Sequence, residues 1–202
     1  MEPNFKEDIT HVDIINHLIK TYNYKSYLEI GVQGKVCWDK IVCAEKVGVE
    51  PVGEMCDDRI KSMNSDQFFD QNGQNFDLIF IDGDHDEAQV TKDILNSLKY
   101  INANGAIVLH DAYPPSEDFA VSYRCGTVFR SIWYIRHIKN IGIVTYTGDF
   151  GVAVIRAKSS IDKYSASVGS YKEYISDSNN LINKCDYYSE FKEKIIELFS
   201  ND

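Results

Sequence analysis

Apolar positions along the chain change period several times, and the changes lay out its elements. Val12, Ile15, Leu18 and Ile19 recur at helical spacing and predict a leading helix over roughly residues 8–22. Ser26 to Val32 is a compact apolar run and predicts a buried strand that ends in a glycine-containing turn. Val36 to Glu45 predicts a helix, and Lys46 to Glu50 a short strand stopped by Pro51. After a further short strand, Ser65-Asp66 can cap a short helix through Phe69. Phe76-Asp77-Leu78-Ile79-Phe80-Ile81 is nearly continuous apolar sequence, as a central parallel strand covered on both faces requires. Val90, Ile94, Leu98 and Ile101 form one stripe of an amphipathic helix over Glu87 to Ile101. Asn102 to Gly105 reads as a turn and Ala106 to Leu109 as another buried strand. Residues 113–126, with Pro114, Pro115 and Gly126, read as a long loop at the site. Thr127 to Lys139 is helical in pattern. Ile141 to Thr147 and Gly151 to Ala157 flank Gly148-Asp149-Phe150 as an antiparallel hairpin. From Ser159 the chain turns polar, until Ile195, Ile196 and Phe199 predict a last helix.

Strands alternating with helices imply an α/β fold with a mostly parallel, doubly wound sheet. Such sheets bind ligands outside the carboxyl ends of their strands. Those ends carry Glu29 to Gly34, Glu50, Asp82 to His85, and His110-Asp111, so the chemistry is expected there.

Composition narrows the partners. A length of 202 residues suits one sizeable core. A net charge of −10 argues against nucleic acid. Cys37, Cys43, Cys56, Cys125 and Cys185 are odd in number, widely spaced and without a C-x-x-C pair, so reduced thiols are expected rather than disulfides or zinc. Met1 to Asp8 is polar and acidic, which argues against a signal peptide. No apolar run approaches the roughly 20 residues that span a bilayer. A cytoplasmic location is expected.

Glu29-x-Gly31-x-x-Gly34 follows a predicted buried strand, where glycines permit a tight turn and close backbone approach. Glu50 comes roughly 20 residues after the loop, where a carboxylate can accept both hydroxyls of a ribose. The residue at the first position separates cofactors. A pyrophosphate over this turn would be repelled by Glu29, whereas a sulfonium and an ammonium would be favoured. The expected cofactor is therefore S-adenosylmethionine, bound by Glu29, Gly31, Gly34, Glu50, Asp66 and Asp82, with Asp66 on the adenine amino group. Helix capping is the structural alternative for Glu29 and Asp66. Asp82, His110 and Asp111 could hold Mg²⁺. A metal-bound hydroxyl of an acceptor would lose its proton to His85 and attack the methyl group in line. The structural alternatives are amide anchoring for Asp82 and helix capping for His85. His11, His17 and His137 fall on predicted helices and read as surface or structural residues. Trp38 and Trp133 read as core or pocket wall, and Tyr113 as a residue that touches the acceptor.

Tyr27-Leu-Glu-Ile-Gly-Val, Val47-Gly-Val-Glu-Pro51, Phe76 to His85 and Ile107-Val-Leu-His-Asp111 resemble the successive motifs of class I methyltransferases. More narrowly they resemble the compact subgroup that includes bacterial sugar and macrolide O-methyltransferases, and Asp149-Phe150-Gly151-Val152 fits that subgroup. The resemblance covers roughly residues 12–157. It implies a Rossmann-like, seven-stranded sheet with a C-terminal antiparallel hairpin strand. It also implies a methyltransferase domain over 1–158, with 159–202 as a helical extension packed on it. The acceptor would be a small molecule or glycan, and a homo-oligomer is compatible. In metal-dependent members an Asp, an acidic pair one strand on, and a His three residues after the first Asp form the centre. Asp82, His85 and Asp111 match that spacing. His110 stands where those members carry an acidic residue, which leaves open a metal-free route with His85 or His110 as base.

Three other readings compete. An NAD-dependent oxidoreductase or epimerase is opposed by Glu29 and by the absence of a well-placed Tyr-x-x-x-Lys. A metal-dependent phosphohydrolase lacks further His ligands at clear spacing. A non-catalytic cofactor-binding subunit is opposed by the candidate residues at every strand end.

Overall fold

A computed structural model of the protein describes residues 5–53, 56–138, 140–157 and 170–200. The helix α1 (His11–Tyr22) starts where the Asp13 carboxylate accepts both the N–H and the hydroxyl of Thr10, at 2.9 and 2.8 Å. It stops at Asn23, whose left-handed backbone ends the winding. The strands β1 (Ser26–Ile30), β2 (Glu45–Val49), β3 (Ile60–Lys61), β4 (Phe76–Ile81) and β5 (Ile101–Leu109) are parallel. Next in the sheet comes β7 (Val152–Ala157), antiparallel to β5 and to β6 (Ile141–Tyr146). The order is β3-β2-β1-β4-β5-β7-β6-β8, where β8 (Lys184–Cys185) lies parallel to β6. The mostly parallel sheet with its antiparallel hairpin agrees with expectation, but it has eight strands rather than seven. The extra strand is two residues long and too short to show a hydrophobic period.

Side chains alternate across this sheet and fill two cores. Leu28, Ile79, Ile81 and Ile107 pack on one face with Phe68 of α2 (Ser65–Gln71), Val90 and Ile94 of α3 (Glu87–Tyr100), and Phe129 and Ile132 of α4 (Val128–Arg136). Tyr27, Leu78, Phe80 and Val108 pack on the other with Ile14, Ile15 and Leu18 of α1 and Phe191 and Ile195 of α6 (Tyr188–Ser200). Both faces of the central strands are covered, so β1, β4 and β5 read as apolar runs instead of alternating ones.

Three segments depart from the sequence reading. The expected helix over Val36 to Glu45 is an irregular segment with a single 3-10 turn at Trp38–Lys40. Gln33 and Lys35 take left-handed backbone, which breaks α winding at its start. The segment is held by buried Trp38, whose Nε1 donates to Asp57 at 3.1 Å and whose ring lies 4.4 Å from the Lys46 ammonium. Asn102 to Gly105 is not a turn but extended backbone within β5. The pairing with β4 jumps from Phe76↔Ile101 to Leu78↔Ala106, so these residues bulge. A helix absent from the expectation, α5 (Tyr171–Leu181), sits against α4. Its Tyr174 and Tyr171 hydroxyls donate to the carbonyls of Ala112 and Pro114 at 2.7 and 2.9 Å, tying it to the loop after β5. The expected boundary at 158–159 lies outside the described residues, as does Lys139 at the end of the helix predicted from Thr127. All five cysteines are free thiols. Among the described residues no helix is long and apolar enough to cross a membrane.

Candidate active site

A cavity of about 1120 Å³ opens at the carboxyl ends of β1, β2, β4 and β5. Its floor is set by Gly31, where the backbone leaves β1 with φ +90°. A Cβ at this position would lie 2.2 Å from the Asp82 carbonyl oxygen, so the exits of β1 and β4 cross with room only for glycine. Glu50 lines one end of the cavity and is buried. Its two carboxylate oxygens accept the Gln33 and Val52 amides at 2.7 and 3.0 Å. Asp66 lies on the rim, 3.4 Å from the Lys92 ammonium and 3.3 Å from the Gln89 amide. The cap of its helix is Asn64 rather than Ser65-Asp66. The Asn64 side chain accepts from Gln67 N–H at 2.8 Å, and the Gln67 side chain accepts from Asn64 N–H in return.

Two expected cofactor residues, Glu29 and Gly34, do not line the cavity. Glu29 is fully buried beneath it. The Tyr27 hydroxyl donates to its Oε2 at 2.7 Å, while Oε1 has no partner. Burial pushes its pKa up to about 7 against the pull of the Tyr27 hydrogen bond, and the Asp82 charge adds to the rise.

At the other end the structure gathers Asp82, His85, His110 and Asp111. His85 Nε2 stands 3.2 Å from Asp111 Oδ2 and 3.8 Å from Asp82 Oδ1, and its Nδ1 donates to the Arg124 carbonyl. His110 Nδ1 is 3.3 Å from Asp82 Oδ1, and its Nε2 is 2.9 Å from the Asp149 carbonyl. Asp111 is buried with left-handed backbone at φ 57°, which turns its carboxylate back toward His85. The neighbouring Asp82 carboxylate raises His85 to about 9 against its burial, with the Asp111 charge helping. Burial opposes ionisation of Asp82, but His110 and His85 outweigh it and bring the carboxyl down to about 2.

Donor atoms of Asp82, His85 and Asp111 all lie within 4.8 Å of one another, a spacing that can hold a cation. His110, expected in that set, joins a second group with His11 and Asp149. The Asp149 carboxylate accepts the His11 backbone N–H at 2.6 Å and lies 2.7 Å from His11 Nδ1. The sequence had shown His11 only as a helix residue. It contacts the site because α1 begins at this point, and Asp149 lies 138 positions away with no local signal linking them.

Phe119, Tyr123, Arg124, Cys125 and Phe150 close the cavity beyond this cluster. Burial and the Asp111 charge hold the Cys125 thiol well above its usual range. Tyr113 does not line the cavity. Its ring packs 6.2 Å from that of Tyr174, and the Lys184 ammonium lies 5.5 Å from it.

Residues 28–112 match the model of a family described as a methyltransferase domain. That segment is similar to a methyltransferase domain over 85 of the chain's 202 residues. The matched segment runs from β1 to just past β5 and contains Glu50, Asp82, His85, His110 and Asp111. No curated protein matches the chain. Among solved structures, the chain is similar to an O-methyltransferase from Bacillus cereus in complex with SAH. The two share 15% identity over 80% of this chain and 84% of that one, at TM-score 0.56. It is also similar to the SAH-bound methyltransferase PaMTH1 of Podospora anserina, with 20% identity over 73% and 78% at TM-score 0.53. A third is the O-methyltransferase TomG of Streptomyces achromogenes, involved in tomaymycin synthesis and solved with SAM, with 12% identity over 78% and 83% at TM-score 0.57. These likenesses show a shared fold. The resemblance to class I methyltransferases drawn from the sequence thus holds for the fold, and residues 28–112 match the domain model.

Proposed function

We propose that the methyltransferase domain moves a methyl group from S-adenosylmethionine to a hydroxyl of a small acceptor, a sugar or another compound with neighbouring hydroxyls. The observation that carries this reading is the placement of His85 Nε2 beside the Asp111 and Asp82 carboxylates, in one cavity with Glu50 at its far end. That cavity has room for a nucleoside and a small acceptor together. A carboxylate at each end suits a cationic cofactor.

Asp82 and Asp111 offer hard oxygen donors within reach of one ion, which fits Mg²⁺. When bound, S-adenosylmethionine supplies a methyl group on a sulfonium leaving group. A divalent cation at Asp82 and Asp111 would supply a Lewis acid that makes an acceptor hydroxyl more acidic. The chain's own residues do the rest. Glu50 receives ribose hydroxyls with the carboxylate lone pairs that Gln33 and Val52 leave free. His85 is aimed by the Arg124 carbonyl at its Nδ1, which leaves Nε2 to face the reacting hydroxyl and take its proton. His85 accepts a proton at neutral pH once the charge of the flanking carboxylates is offset, which is the condition a divalent cation meets. His110, held between Asp82 and Asp149, keeps the Asp82 carboxylate ionised. Residues 170–200 belong to the same folded unit, a reading supported by the β8–β6 pairing and the Tyr174 bond to Ala112.

The test is S-adenosylhomocysteine binding by calorimetry, followed by methyl transfer to a panel of vicinal diols with and without EDTA. We expect binding, turnover that EDTA abolishes and Mg²⁺ restores, and a loss of roughly 10²–10⁴-fold in kcat for His85→Gln with cofactor affinity retained. Absence of S-adenosylhomocysteine binding would overturn the reading. Full activity after EDTA would remove the cation from it.

A further inference from the structure

The acceptor end of the cavity is marked by one residue that does not fit its surroundings. Arg124 is the lone lysine or arginine among the described residues lining a cavity that also presents Glu50, Asp66, Asp82, Asp84 and Asp111. It forms no ion pair with any described residue. The guanidinium instead lies over the Phe119 ring, 4.1 Å from its centroid. The Phe119 ring in turn packs 5.7 Å from Phe150, and Phe150 stands edge-on to His110 at 6.4 Å. An unpaired guanidinium in a chain of net charge −10 has many carboxylates to choose from on the surface. Stacking on an aromatic face holds it still and leaves its N–H fork open, which is how arginine is prepared for a carboxylate or phosphate. The position is fixed from the backbone side as well. The Arg124 carbonyl accepts from His85 Nδ1, and His85 Nε2 reaches Asp111 at 3.2 Å. The anion-ready fork is therefore attached one imidazole away from the carboxylates where the reacting hydroxyl would sit.

We propose that Arg124 is a specificity-determining residue and that the acceptor carries an anionic group, a carboxylate in the simplest case. Arg124 receives that group while the body of the acceptor lies against Phe119 and Phe150 and its hydroxyl reaches Asp82 and Asp111. The acidic and aromatic neighbours then divide the work. The carboxylates at the reacting end repel an anion placed the wrong way round, so the acceptor enters in a single orientation. This inference rests on the site being a hydroxyl-methylating centre, and its test is chosen to fail separately from that reading.

Affinities are measured by calorimetry on the complex of the full chain with S-adenosylhomocysteine and Mg²⁺, using two matched pairs of probes. These are 3,4-dihydroxybenzoate against catechol and glucuronate against glucose. In at least one pair the anionic member is expected to bind about tenfold more tightly, the scale of one charge-assisted hydrogen bond. Arg124→Gln is expected to erase that preference and Arg124→Lys to keep part of it, with S-adenosylhomocysteine affinity unchanged as the control for folding. Equal affinities within both pairs, including no binding of either member, overturn the proposal. So does an Arg124→Gln variant that weakens both members of a pair alike, because that result assigns Arg124 to holding the loop. Methyl transfer from S-adenosylmethionine is then followed for the same probes. A preference for the anion without methylated product supports the Arg124 subsite and overturns the hydroxyl-methylation reading.

Discussion

Replacing Glu29 by glutamine isolates the cost of ionising one carboxyl beneath the cofactor loop. Glu29 is fully buried, one of its oxygens has no partner, and its pKa lies near 7 instead of 4.5. The folded protein therefore holds this proton more tightly than the unfolded chain does. Stability from this group is fully present below pH 4.5 and is lost as the pH rises through 7. A displacement from 4.5 to about 7 corresponds to ~3 kcal/mol once ionisation is complete, near pH 8. The substituted amide keeps an acceptor for the Tyr27 hydroxyl and cannot ionise. Any cost of burying it is the same at every pH. Urea melts of Glu29→Gln and the unaltered protein at pH 5 and pH 8, without cofactor, give four stabilities. The variant should gain about 2.5 kcal/mol relative to the unaltered protein between the two pH values, because the unfolded carboxyl is already largely ionised at pH 5. Asp93 and His85, raised to about 6 and about 9, titrate in both proteins and drop out of the difference. A gap that is the same at pH 5 and pH 8, within about 0.5 kcal/mol, refutes the argument.

Two further substitutions probe how the site is assembled. Gly31→Ala puts a methyl group against the Asp82 carbonyl at a backbone angle that L-residues avoid, and should cost roughly 3 kcal/mol or more, read as a lowered urea midpoint, together with lost S-adenosylhomocysteine binding. Tyr174→Phe removes the fully buried hydroxyl bonded to Ala112 and strands that carbonyl. It should cost about 1–3 kcal/mol in urea melts and raise the acceptor KM more than it changes cofactor affinity, since the bond steadies the loop after β5. An unchanged midpoint would show that water replaces the hydroxyl at no cost.

Much of the sheet was legible because its central strands are buried on both faces and its turns carry their own chemistry. Phe76 to Ile81, the helix after it and the hairpin around Asp149 were read from residues close together in sequence, and they stand in the structure as read. The segment after β1 misled because it contains apolar Val36 and Val42, which a core would be expected to bury. Both are solvent-exposed instead, at 70% and 77%, and the anchor is Trp38. Strand ends rich in Asp and His located the cavity. Which of those residues face one another depends on tertiary packing. Glu29 turned under the loop to meet Tyr27, while His110 turned toward Asp149 and His11. Arg124 lies within a loop that has no periodic pattern, and only its stack on Phe119 and its bond to His85 mark it.

The irregular segment after β1 has an electrostatic consequence. A nucleotide pyrophosphate is commonly held by the free amides and positive macrodipole at the start of a helix. Here no α-helix follows the loop, and the chain steps through left-handed residues into a single 3-10 turn. The amide that would face a phosphate, Gln33 N–H, is already given to Glu50. The strand exit thus has neither a dipole nor that donor to offer an anion, and it presents a carboxylate in their place. The backbone at this strand exit is therefore poorly suited to hold a pyrophosphate.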